Sequence, residues 1–76
     1  MDWQQHIERV PGVMLGKPIF RGTRITVEFV LERLAQGARP EELIASHPPL
    51  SSDYVRAALA YALSAVRQDE LLLSTT

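Results

Sequence analysis

The spacing of apolar and polar residues changes character once along the chain. Up to Ile25 the apolar residues come in short clusters, Ile7 and Val10, then Val13-Met14-Leu15, then Ile19-Phe20, broken by proline and glycine. Pro11-Gly12 suits the centre of a type II turn, where proline presets φ and glycine takes the positive φ that follows. The pattern predicts a small hairpin of 7–10 against 13–15, then a short or edge-like strand, because Pro18 has no N–H to give a ladder. From Thr26 the period becomes helical: Val27, Val30, Leu31, Leu34 and Ala35 recur at i, i+3, i+4, i+7 and i+8, which predicts a helix capped by Thr26 and stopped by Gly37. A second helix opens at Pro40, with Glu41 and Glu42 at the positive end of its dipole, and stops at His47-Pro48-Pro49. A third follows the cap Ser51, with Leu50 placed to staple against Val55 and a core stripe of Val55, Ala58, Leu59, Ala62, Leu63 and Val66.

These elements make one mainly α domain over 1–76: a short β arm at 7–26, a three-helix bundle at 27–67 and a tail at 68–76. The short second helix, tight turn and longer third helix have the proportions of a helix-turn-helix, whose second helix turns its N-terminal residues toward the DNA major groove. Tyr54, Ala57, Ala60, Tyr61 and Ala65 extend the apolar surface of the third helix around most of its circumference. Two short helices cannot cover all of it, so a second copy is expected as partner, in a homodimer with Tyr61 at the interface. Tyr54, Tyr61 and the terminal Leu71, Leu72 and Leu73 are the candidate partner-binding residues.

Composition narrows the chemistry. The 76 residues contain no cysteine and two histidines, which excludes disulfide frameworks, thiol chemistry and zinc fingers and fits a reducing cytoplasm. No apolar run approaches the roughly 20 residues of a membrane-spanning helix, and Met1-Asp2-Trp3-Gln4-Gln5-His6 has no basic-then-apolar character of an export signal. A cytoplasmic protein without membrane attachment is expected. His6 and His47 lack neighbours at metal-ligand spacing, Glu41 and Glu42 point apart on their helix, and no nucleophile motif occurs, so neither an enzyme nor a metal or cofactor site is expected.

The net charge is −1, yet Lys17, Arg21 and Arg24 lie in a stretch from Met14 to Ile25 with no acidic residue. Together with the Thr23 hydroxyl and the glycine amides at 16 and 22, they suit phosphate oxygens. Ser52 and Arg56, at the start of the third helix, can hydrogen-bond base edges, and Arg56 can grip a guanine with two bonds. Lys17, Arg21, Thr23, Arg24, Ser52 and Arg56 are therefore the candidate DNA contacts.

The run Gly16-Lys17-Pro18-Ile19-Phe20-Arg21-Gly22-Thr23-Arg24-Ile25-Thr26-Val27, with Leu34-Ala35-Gln36-Gly37, Pro40-Glu41-Glu42-Leu43-Ile44 and Ala57-Ala58-Leu59-Ala60-Tyr61-Ala62, resembles the bacterial domain-of-unknown-function family four hundred and thirty-three over about residues 7 to 66. The resemblance implies a homeodomain-like helix-turn-helix fold and an antitoxin of a type II toxin-antitoxin pair, which neutralises a PIN-like nuclease and binds its own operator DNA. The alternative is a protein-interaction module that never touches DNA. Pro48-Pro49 departs from the family pattern, in which an acidic or polar residue more often follows the first proline.

Overall fold

The computed structural model describes the backbone of residues 1–74 and the side chains of residues 1–69. Two strands, β1 (Ile7–Glu8) and β2 (Ile19–Phe20), precede three helices, α1 (Val27–Ala35), α2 (Pro40–Ser46) and α3 (Ser52–Ser74). Short 3₁₀ turns at Trp3–Gln5 and Met14–Gly16 come before each strand. The strands are antiparallel, with Ile7 opposite Phe20 and Glu8 opposite Ile19.

This pairing replaces the hairpin of 7–10 against 13–15. The Pro11-Gly12 turn forms, with Gly12 at φ 81° and the Val13 N–H donating to the Val10 carbonyl at 3.0 Å. Beyond it Met14 (φ 48°), Leu15 (φ 60°) and Gly16 (φ 73°) are all left-handed, so the backbone coils and cannot continue as a strand. Burial explains the choice. Ile7, Ile19 and Phe20 are buried, whereas Leu15 is 93% exposed, so pairing β1 with β2 removes far more apolar surface from water.

Helix boundaries follow local capping chemistry. The Thr26 hydroxyl accepts from the Phe29 N–H at 3.0 Å. At the other end of α1, the Gly37 N–H donates to Leu34 and the Ala38 N–H to Arg33, both at 3.0 Å, and Gly37 sits at φ 99°, the Schellman arrangement. Pro40 opens α2, and Glu42 accepts from the Arg39 backbone N–H at 3.2 Å. The chain turns through Pro48-Pro49, held by the Leu50 N–H on the His47 carbonyl at 2.8 Å, and Ser51 caps α3 through the Tyr54 N–H at 3.1 Å.

The core consists of Ile7, Phe20, Val27, Val30, Leu43, Leu50, Ala57 and Ala58, so arm and helices share one interior. The buried face of α3 shares Val55 and Ala58 with the predicted stripe but is rotated toward Tyr54, Ala57 and Tyr61, away from Leu59, Leu63 and Val66. Val55, Ala57 and Ala58 are buried and Tyr54 and Tyr61 pack against the core, while Leu59, Leu63 and Val66 are 51%, 49% and 51% exposed. Alanines at 57 and 58 let the helix backbone approach its neighbours, and the two tyrosines fill the space on either side. The larger aliphatic residues are left facing outward. α3 also continues beyond Arg67 to Ser74, a rod of about 34 Å against about 13 Å for α1. No helix among the described residues is long and apolar enough to cross a membrane.

Candidate nucleic-acid interface

The arm presents its cations from a closed turn. Phe20 and Ile25 are joined by the Phe20 N–H on the Ile25 carbonyl at 3.1 Å, and Gly22 takes φ 77° at the bend. Thr23 is consumed in holding this turn. Its hydroxyl donates to the Phe20 carbonyl at 2.9 Å and accepts from the Ile25 N–H at 3.0 Å, so it organises the loop that carries Arg24 and is not poised to meet a phosphate.

The three arm cations have separate jobs. Arg21 reaches back over the first residues of the chain, donating to the Gln5 carbonyl at 3.0 Å, the Gln4 carbonyl at 3.1 Å and the Glu8 carboxylate at 3.0 Å. Lys17 pairs with Glu28 on α1 at 3.1 Å. Arg24 is exposed and has no hydrogen-bond or ion-pair partner among the described residues. Its side chain borders a concavity with Met14, Phe29 and His47, the residue that closes α2. A cationic head therefore stands beside the turn between α2 and α3.

Tyr54 ties that turn to the arm. Its ring stacks on Phe20 with centroids 5.0 Å apart, and its hydroxyl donates to the Arg21 carbonyl at 2.6 Å. Two residues away around the helix, Arg56 points to the opposite side and is exposed, as are Ser52 and Asp53. Ser52, Arg56, Leu59, Leu63 and Val66 follow one another at intervals of four and three, so they share the outward face of α3. That face is polar in its first turns and apolar beyond.

A family model described as "Protein of unknown function (DUF433)" matches residues 7–62. The chain belongs to this family. A solved structure, the crystal structure of a DUF433 member protein from Anabaena variabilis ATCC 29413, is similar with a TM-score of 0.77 and 32% identity, over 93% of this chain and 70% of that one. No curated protein matches. The DUF433 match takes in the arm, α1, α2 and the first half of α3, and it ends at Ala62.

Two of the partner-binding candidates are engaged within this DUF433 chain. Tyr54 is held by the arm, and Tyr61 packs edge-on against Trp3 at 4.9 Å and receives a hydrogen bond from Arg9 at 3.3 Å. The side chains of Leu71, Leu72 and Leu73 lie outside the described residues. The exposed apolar face at Leu59, Leu63 and Val66 was legible as an i, i+4, i+7 set, but the same spacing reads equally well as core. The arm clasp through Arg21, and the roles of Trp3 and Arg9, leave no periodic signal because they are contacts between residues distant in sequence.

Proposed function

We propose that this chain is a dimeric DNA-binding antitoxin that acts in the cytoplasm, holds its operator through Arg24 and the first turns of α3, and neutralises a PIN-like nuclease. The observation that carries the DNA reading is that two exposed cations flanking the α2–α3 turn, Arg24 beside it and Arg56 on the outward face of α3, have no side-chain partners among the described residues. In this reading α2, the turn and α3 act as the helix-turn-helix, Ser52 and Arg56 meet base edges, and Arg24 meets a phosphate. Arg21 serves as scaffold, because its head is held by Gln4, Gln5 and Glu8, and the charge of Lys17 is offset by Glu28. The second copy covers Leu59, Leu63 and Val66. The apolar character of this same face also favours the rival reading, a protein-interaction module with no DNA.

Substitution of the two arm arginines separates contact from scaffold. Arg24→Ala keeps the melting temperature and weakens binding to all duplexes alike, with the slope of log affinity against log salt reduced by about 1. Arg21→Ala lowers the melting temperature by releasing the first residues of the chain. Arg56→Ala costs about 1 to 3 kcal/mol at one base position. A loss of stability in Arg24→Ala with an unchanged salt slope would remove Arg24 from the interface. Thermal melts and fluorescence anisotropy on the same variants decide it.

A further inference from the structure

An open groove of about 470 Å³ runs between α1 and α3, lined by Pro18, Val27, Leu31 and Tyr61 and edged by Glu28 and Glu32. Apart from the two carboxylates its lining is mainly apolar. The same glutamates, one helical turn apart, also edge a second depression lined by Met14, Leu15 and Phe29, so they form an acidic ridge between two apolar hollows. Lys17 is the cation beside this ridge, on Glu28 at 3.1 Å, and an exposed pair of this kind is worth little and exchanges readily.

We propose that the groove between α1 and α3 takes an amphipathic helix of a different protein, apolar on the face it inserts and bearing lysine or arginine along one flank. The apolar floor supplies burial, and two carboxylates at i and i+4 match cations repeated at the same interval. Anionic occupants, DNA included, are repelled by the ridge. The exposed stripe of a second copy is a poor occupant. Leu59, Leu63 and Val66 lie on the far side of α3 from Tyr61, which lines the groove, so stripe-in-groove contact is head-to-tail, giving a ring or a filament rather than a two-fold dimer. The inference rests on the antitoxin reading in one respect, the identity of the partner. A nuclease must carry a cationic surface to hold a polyanionic substrate, and the acidic ridge is built to cover such a surface.

The probe is a synthetic tryptophan-free helical peptide with leucines at i, i+3, i+4 and i+7 and lysines four apart on one flank, compared with the same peptide carrying glutamates. Trp3 is the single tryptophan and packs on Tyr61, so its emission responds to binding at the groove, and the Glu28/Glu32 variant separates this from binding on the Leu63 side, which Trp3 also borders. The lysine peptide is expected to shift Trp3 emission saturably and to bind at least tenfold more tightly than the glutamate peptide. Glu28→Lys with Glu32→Lys should reverse that preference, Glu41→Lys with Glu42→Lys on α2 should leave it unchanged, and Lys17→Ala should tighten the lysine peptide. Circular dichroism confirms that each variant is folded. Equal binding of the two peptides, no binding of either, or an unreversed preference in the Glu28/Glu32 variant overturns the groove assignment. If the peptide preference stands but the full chain does not neutralise its nuclease in co-expression, the groove survives and the antitoxin reading falls.

Discussion

Phe20→Ala is expected to leave the chain largely unfolded. Phe20 is fully buried, stacks on Tyr54 and belongs to the strand that closes the arm over the bundle. Truncating a buried phenylalanine to alanine costs about 3 to 5 kcal/mol through lost transfer energy and the cavity left behind. Domains of this size have roughly that much stability in total. The cavity cannot be refilled cheaply, because β2 is fixed on both sides by Ile7 opposite Phe20 and by the bridge between Ile19 and Thr26. Urea denaturation followed by circular dichroism should find little or no native baseline. A cooperative transition within about 1 kcal/mol of wild type would show that the arm is an appendage rather than part of the core.

Leu59→Asp with Leu63→Asp is expected to have the opposite signature, a folded chain that no longer associates. Both leucines are about half exposed, so within one chain the substitution removes little packing. In the proposed dimer it places four carboxylates in an apolar seam, where like charges and desolvation oppose contact. Sedimentation should change from dimer to monomer. Affinity for an inverted repeat should fall by roughly 10² to 10⁴, because the second half-site is no longer bound at high effective concentration. A double variant that sediments as wild type would place the second copy elsewhere.

The helix limits, except the C-terminal end of α3, which runs past Arg67 to Ser74, are readable from sequence because they are set locally. Thr26, Gly37, Pro40 and Ser51 each act within four residues of their own position, through a hydroxyl, a positive φ, a fixed φ or a missing donor. The pairing of β1 is different, since the 7–10 segment could pair with 13–15 or with Ile19-Phe20, and the outcome depends on the left-handed backbone at Met14 and Leu15 and on which pair closes the interior. The face of α3 is ambiguous for a related reason. The spacing of Leu59, Leu63 and Val66 suggests burial, but Ala57 and Ala58 allow closer approach, and the interior is already filled by Phe20, Val27 and Val30.

The division of labour among cations is the least legible part of the site. Lys17, Arg21 and Arg24 have the same charge and lie within eight positions of one another, and nothing in the sequence distinguishes the one that bonds carbonyls from the one left to solvent. In the fold, Arg21 donates to Gln4, Gln5 and Glu8, Lys17 pairs with Glu28, and Arg24 has no partner among the described residues. Thr23 changes role in the same way, from a candidate phosphate donor to the clasp of the turn.

The most direct test is binding of the full chain to its own promoter duplex and to a scrambled duplex of equal length, by fluorescence anisotropy across a salt series, alone and with the proposed nuclease partner. The account predicts saturable binding that weakens linearly in log salt, tighter on the promoter than on the scrambled duplex, over a short inverted repeat whose half-sites are about 34 Å apart. No binding to the promoter at low salt, with or without the nuclease, would contradict it.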